Sequence, residues 1–140
     1  FLCLKIVRDL KKKIIYDPRV LVYHHRRGLF KGHLKQIANY ALHRGYFVKR
    51  FPETSFRFTY FIPSIFLAGL FIGLALSYLF PSLKLTYILA VIFYLILVFI
   101  SSISKDFLLI FPVFWGIIFS HLVYGLYFIQ GLFSRKLKEE

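Results

Sequence analysis

The sequence predicts an α-helical membrane protein in which a short helix and strand precede an amphipathic helix and about three membrane-spanning helices. Its 140 residues are 59% hydrophobic, with a mean hydropathy of +0.67, whereas soluble domains are ~45–50% apolar. The charge is uneven, because residues 1–55 hold 13 of the 19 Lys and Arg residues but only three acidic residues. Lipid is therefore expected to cover the apolar half, with the basic half at the membrane surface.

The N-terminal segment combines a helical pattern with a strand-like pattern. Apolar residues recur at helical spacing within residues 1–12. Asp17-Pro18 is a turn signal, and residues 19–23 are rich in β-branched and aromatic side chains. We therefore predict a helix and then a short strand or strand pair, which ends at residues 24–28 (His-His-Arg-Arg-Gly).

Residues 29–55 are predicted to form an amphipathic helix and a linker. The apolar period becomes helical after Gly28, and polar residues occupy the opposite side. Such a helix would lie in the membrane interface with its apolar side toward lipid, until the sequence Phe-Pro-Glu-Thr-Ser at 51–55 breaks it. The apolar side comprises Phe30, Leu34, Ile37, Ala41 and Val48, and the polar side comprises Lys31, Lys35, Asn39 and His43.

Residues 56–134 are predicted to form the membrane-spanning region. The runs 58–80, 85–104 and 107–133 contain no charged residue. At ~1.5 Å per residue, each is long enough to cross a hydrocarbon core of ~30 Å. Pro112 lies near the start of the third run, which predicts a kinked or tilted helix.

The tail at residues 135–140 complicates the topology. Three crossings would place its basic residues opposite the basic N-terminal segment, against the positive-inside tendency. The larger charge of residues 1–55 is expected to dominate and to place that segment in the cytoplasm. In an alternative topology, part of 107–133 forms a re-entrant or interfacial piece that returns the tail to the cytoplasm.

Composition and motifs also narrow the functional classes. No nucleic-acid-binding motif occurs, and a basic stretch beside spanning segments is typical of contact with anionic lipid. The single cysteine, Cys3, excludes an internal disulfide. Few polar groups occur in the spans, which disfavours a transporter or channel. The sequence has no Met and begins within an amphipathic pattern, so we expect a fragment of a longer protein.

Two kinds of candidate ligand lie at the end of the predicted strand. His24 and His25 carry imidazoles that suit a divalent metal, and Arg26 and Arg27 carry guanidinium groups that suit phosphate. The alternative is a solvated basic turn at the membrane surface.

A polar stripe runs along the predicted interfacial helix. Gln36, Tyr40 and Arg44 are spaced four residues apart and therefore share one side of a helix. An amide, a phenol and a guanidinium in line can bind a sugar and a diphosphate, although Tyr40 and Arg44 can equally anchor the helix at headgroup level. In the third span, His121 is expected to make a hydrogen bond between helices rather than to act in catalysis.

Several of these segments together resemble the end of the GT-A catalytic domain of membrane-bound family 2 glycosyltransferases. The closest resemblance is to enzymes of exopolysaccharide synthesis similar to the succinoglycan glucosyltransferase. It covers residues 1 to about 55 by motif and the remainder by hydropathy alone. The segments are Leu2-Cys3-Leu4-Lys5-Ile6, then Lys13-Ile14-Ile15-Tyr16-Asp17-Pro18, Val22-Tyr23-His24-His25-Arg26-Arg27, and Gln36-x-x-x-Tyr40-x-x-x-Arg44-Gly45.

The resemblance implies that residues 1–28 end a GT-A domain whose catalytic base and Asp-x-Asp motif lie upstream, so that no catalytic residue lies in this chain. His24 or His25 would help hold Mg²⁺ or Mn²⁺ on the donor diphosphate, where the metal offsets the charge of the leaving group. Gln36 matches the Gln-x-x-Arg-Trp motif of the processive synthases, and Tyr40 keeps its aromatic residue. Asn39 departs from the Arg of that motif, which favours transfer of a single sugar.

The implied function is transfer of a sugar from a nucleotide-sugar donor to a lipid-linked or polysaccharide acceptor at the plasma membrane. The implied partners are the donor, the acceptor and membrane lipids, without nucleic acid. Residues 1–140 alone would be inactive. The competing interpretation is a non-enzymatic membrane anchor or scaffold with a basic lipid-binding segment.

Overall fold

A computed structural model of the protein describes residues 2–24 and 28–137, and the described part is mostly helical. Three helical segments, Ile62–Leu79, Pro81–Ser102 and Phe107–Phe133, are long and apolar enough by length and composition to cross a membrane. The helices are α1 (Leu2–Arg8), α2 (Lys31–Arg50), α3 (Pro52–Ser55), α4 (Ile62–Leu79), α5 (Lys84–Ser102) and α6 (Phe107–Phe133), with 3-10 turns at Phe58–Tyr60 and Pro81–Leu83.

The strand predicted at residues 19–23 is wrong, because the described residues form no strand. This segment is irregular and its apolar side chains are open to solvent, with Tyr23 96% exposed. A strand needs a partner for its backbone N–H and C=O groups, and no described segment supplies one. The predicted turn is present, since the Asp17 carboxylate accepts hydrogen bonds from the backbone and side chain of Arg19.

The predicted amphipathic helix is confirmed as α2, but its apolar side lies against protein. Residues Ala38, Ala41, Gly45 and Val48 are buried on α6, whereas the predicted polar side is exposed. Contacts follow the same sequence order on both helices, from Phe30 with Phe119 to Lys49 with the carbonyl of Ser134. Therefore α2 runs parallel to the C-terminal half of α6.

Two glycines bring the backbones of α2 and α6 into direct contact. A Cβ atom at Gly131 would lie 2.1 Å from the carbonyl oxygen of Leu42, and one at Gly45 would lie 2.2 Å from that of Phe128. Both distances are far shorter than any Cβ contact, so a side chain at either position would push the helices apart. The small residues thus set the separation of the two helices.

The helices α4 and α5 form an antiparallel hairpin that closes at Pro81–Leu83. The Tyr87 hydroxyl donates to the carbonyl of Leu70 at 3.1 Å, and its ring lies against Gly73. Gly69, the other glycine of the G-x-x-x-G pattern, has no heavy atom within 4 Å of a Cβ position. Only one of the two glycines therefore packs against the neighbouring helix.

Helix α6 begins at an N-cap and contacts both hairpin helices. The Asp106 carboxylate accepts from the backbone N–H of Leu108 at 3.0 Å, which satisfies a free donor of the first turn. The Ser64 hydroxyl donates to the carbonyl of Gly125 at 3.1 Å, where α4 and α6 approach closely. The protein core forms beside this crossing and includes Ala41, Val48 and Phe128.

We expect Gly131→Ala to destabilise the protein, because the added methyl group clashes with the backbone carbonyl of Leu42 rather than with a movable side chain. Forcing extra atoms into a packed site typically costs ~1–3 kcal/mol. The midpoint of thermal unfolding in detergent, followed by circular dichroism, should fall.

Gly69→Ala is the matched control, since it adds the same methyl group to an exposed helical position. Its midpoint should stay unchanged or rise, because Ala favours a helix over Gly. Equal midpoints for the two variants would contradict the close backbone contact.

Candidate functional site

The polar stripe on α2 lines a shallow groove of about 500 Å³. The structure brings Gln36, Tyr40 and Arg44 together there, as their helical spacing predicts. The groove opens to solvent, with Gln36 half-buried and Tyr40 54% exposed. Its complete lining, Gln36, Asn39, Tyr40, His43, Arg44 and Phe47, comes from one helix.

Arg44 is held at one side of the groove by aromatic residues from other parts of the chain. Its Nη1 donates to the Tyr124 hydroxyl at 3.4 Å. The guanidinium carbon lies 4.7 Å from the ring centroid of Tyr60 and 5.9 Å from that of Tyr124, within the range of cation–π contacts. The hydrogen bond to Tyr124 is the main cause that raises the pKa of Arg44 above its usual value, so the group stays charged.

The side chains of Gln36 and Tyr40 make no hydrogen bond to any described residue. Gln36 therefore presents an amide with both donor and acceptor atoms, and Tyr40 presents a phenol. Arg44 uses one of its five N–H donors on Tyr124. The groove thus offers a fixed positive charge, an amide and an aromatic ring to a ligand approaching from the exposed side of α2.

Spacing alone identified only half of the groove lining as a candidate site. Asn39 and His43 were assigned to the polar side of the helix but not to a site, although both lie one turn from stripe residues. His43 is oriented through its Nδ1, which lies 2.8 Å from the carbonyl oxygen of Asn39. Tyr60 and Tyr124 were missed because they are distant in sequence and no local pattern connects them to Arg44.

The candidate metal ligands do not join this groove. His24 is exposed and lies in the irregular segment before α2. His25, Arg26 and Arg27 lie outside the described residues. Among residues 2–24 and 28–137, no three His, Cys, Asp or Glu side chains are placed to hold a metal ion. The described residues do not by themselves fit Mg²⁺ or Mn²⁺, and no chemical step is assigned to a metal.

Polar side chains within the apolar helices are used to join one helix to another. The Tyr94 hydroxyl lies 3.1 Å from Nδ1 of His121, which joins α5 to α6 and confirms the expected helix-packing role of this histidine. The Ser120 hydroxyl lies 3.3 Å from Nε2 of His33, which joins α6 to α2. The second of these hydrogen bonds attaches the groove helix α2 to α6.

We expect Arg44→Ala to weaken the attachment of α2, because it removes both the hydrogen bond to Tyr124 and the contact with Tyr60. Tyr124→Phe removes only the hydrogen bond and should lower the free energy of unfolding by at most ~0.5–1.5 kcal/mol, because this hydrogen bond is exposed. The thermal midpoint should therefore fall further for Arg44→Ala than for Tyr124→Phe. A midpoint for Arg44→Ala equal to that of the unaltered protein would show that the aromatic contacts add no stability.

Comparisons with protein families, with curated proteins and with solved structures found no match to this chain.

Proposed function

We propose that this chain is the membrane-anchoring C-terminal portion of a family 2 glycosyltransferase that moves a sugar from a nucleotide-sugar donor to a lipid-linked or polysaccharide acceptor. The motif resemblance of residues 1 to about 55 supports the family. The structural observation that carries the proposal is the position of Gln36, Tyr40 and Arg44 along one groove. The proposal locates the enzyme at the plasma membrane, with residues 1–55 on the cytoplasmic side.

Each groove residue has a distinct part in this proposal. The Arg44 guanidinium contacts a phosphate of the donor or of the lipid-linked acceptor through its remaining N–H donors. The Gln36 amide forms hydrogen bonds with sugar hydroxyl groups, and the Tyr40 ring packs against a sugar face. Tyr60 and Tyr124 hold the guanidinium in place before the ligand arrives, which lowers the entropy lost on binding.

A membrane anchor without enzymatic activity is the second candidate, and one specific observation favours it. The contacts of Arg44 with Tyr60 and Tyr124 join α2 to the membrane helices, so a purely structural role would also explain this residue. In that case the exposed lysines of α2 contact anionic lipid and the groove has no ligand.

We expect Gln36→Ala and Arg44→Lys, made in the full-length enzyme, each to lower kcat/KM by roughly 10- to 100-fold, which corresponds to ~1.5–3 kcal/mol. Lys keeps the charge of Arg44 but cannot form two parallel hydrogen bonds with a phosphate. The measurement is transfer of radiolabelled sugar from a panel of nucleotide sugars into the lipid and polysaccharide fractions of membranes.

Two controls separate chemistry from packing. Leu34→Val alters the side of α2 that faces away from the groove and should retain full activity. Tyr124→Phe removes only the hydrogen bond that supports Arg44, keeps the aromatic ring, and should retain most activity. Full activity in both Gln36→Ala and Arg44→Lys would favour the anchor, as would equal losses in Arg44→Lys and Tyr124→Phe.

A further inference from the structure

The contacts of α6 show that its axis is not aligned with the axes of α4 and α5. Along α4, the positions Phe61, Ser64 and Phe66 meet α6 at progressively earlier residues, from Phe128 to His121. The residues of α6 that contact α4 therefore follow each other in the opposite sequence order to their partners on α4.

The same reversal holds for α5. Tyr94 meets His121, and Phe99, further along α5, meets Phe114, an earlier residue of α6. However, α4 and α5 are themselves antiparallel, with Phe66 against Tyr94 and Gly73 against Tyr87. No helix can be antiparallel to two helices that are antiparallel to each other. Helix α6 must therefore lie across the hairpin.

These contacts also lie toward the open end of the hairpin. Phe61 immediately precedes α4 and touches Phe128, near the end of α6. The start of α6 follows the end of α5 after a short connection. Since α4 begins and α5 ends at the open end, both ends of α6 lie there, away from the turn at Pro81–Leu83.

Helix α2, which packs against α6, carries positive charges that are unsuited to the hydrocarbon core of a membrane. Parallel to the C-terminal half of α6, α2 exposes cationic side chains at both its beginning and its end. Burial of a cation in the bilayer centre is costly, so α2 belongs at the headgroup level. Its exposed cations are Lys31, Lys35, Arg44, Lys49 and Arg50.

The other side of the pair is apolar. Phe119, Leu126 and Phe133 are spaced seven residues apart on α6 and are 39%, 58% and 81% exposed. They form one stripe along the helix. The pair α2–α6 therefore presents charge on one side and a long apolar stripe on α6, which is the pattern of a layer lying flat at the surface of a membrane.

We infer that α6 does not cross the bilayer. The described part of the chain crosses it twice, through α4 and α5, and the α2–α6 pair lies in the headgroup region at the open end of the hairpin. The exposed cations of α2 outside the groove, Lys31, Lys35, Lys49 and Arg50, face anionic lipid headgroups, and the stripe of α6 faces the acyl chains. Arg135 and Lys136 then lie on the same side as the basic N-terminal segment, which removes the charge conflict noted in the sequence. The inference does not depend on whether the protein is a glycosyltransferase.

Cysteine labelling tests this topology in a Cys3→Ser background, in which residues 1–140 contain no thiol and any cysteine elsewhere in the full-length protein is also replaced by Ser. Lys31→Cys, Ser82→Cys and Lys136→Cys each place a thiol at an exposed position outside the groove lining. The full-length protein in sealed membrane vesicles is treated with a membrane-impermeant maleimide, and the signal is normalised to labelling after detergent permeabilisation. We expect Lys136→Cys to label with the same sidedness as Lys31→Cys, and Ser82→Cys to label from the other side.

Labelling of Lys136→Cys together with Ser82→Cys, opposite Lys31→Cys, would establish three crossings and overturn the inference. Labelling of all three from one side would overturn it as well, because the hairpin would then not cross. Trypsin digestion provides a second measurement that needs no cysteine at residue 136. It should remove a C-terminal epitope tag in vesicles of the orientation in which Lys31→Cys is accessible, and tag loss confined to the opposite orientation would contradict two crossings.

Discussion

The contact between the backbones of α2 and α6 is the constraint on which the rest of the structure depends. Gly45 and Gly131 allow this approach because neither has a Cβ atom. A Cβ at Gly45 would meet the carbonyl oxygen of Phe128, and one at Gly131 would meet that of Leu42. Once the helices are this close, His33 reaches Ser120, Arg44 reaches Tyr124 and Lys49 reaches the end of α6. A modest increase in separation would break all three interactions together, so the polar contacts depend on the glycines rather than the reverse.

The contact between α2 and α6 also fixes the orientation of the groove on α2. All of its lining residues belong to one helix, and a single helix at a membrane surface could roll about its own axis. Attachment to α6 on one side prevents the rolling and keeps the polar stripe turned outward. Arg44 has two functions in this arrangement, since its aromatic contacts support the helix while its remaining donors face the groove. This is why the choice between enzyme and anchor requires variants that separate packing from ligand contact.

Periodicity predicted the helices well and their arrangement poorly. The third apolar run coincides with α6 at Phe107–Phe133. On α2 the predicted polar residues are exposed and the predicted apolar residues Ala41 and Val48 are buried, whereas Phe30 precedes the helix and is exposed. The successes follow from local spacing. The partner of the apolar side of α2 was taken to be lipid, since composition cannot distinguish a lipid-facing surface from one that packs on a distant helix. The strand at residues 19–23 failed for a related reason, because its side chains favour a strand but its hydrogen bonds need a second segment. In the groove, Gln36, Tyr40 and Arg44 were predictable from a four-residue spacing, whereas Tyr60 and Tyr124 reach Arg44 only through the tertiary fold.

The long sequence separation between α2 and α6 has a consequence for biosynthesis. The polar contacts between them join residues 80 to 87 positions apart, and α6 is the last of the described helices to be synthesised. Until it emerges, the buried side of α2, including Ala41 and Val48, lacks its α6 partner. Membrane lipid can cover this apolar surface in the meantime, so we expect α2 to rest on the bilayer first and to exchange lipid for α6 later. The hairpin formed by α4 and α5 is complete by that time and anchors the nascent chain beside the place where the final helix arrives.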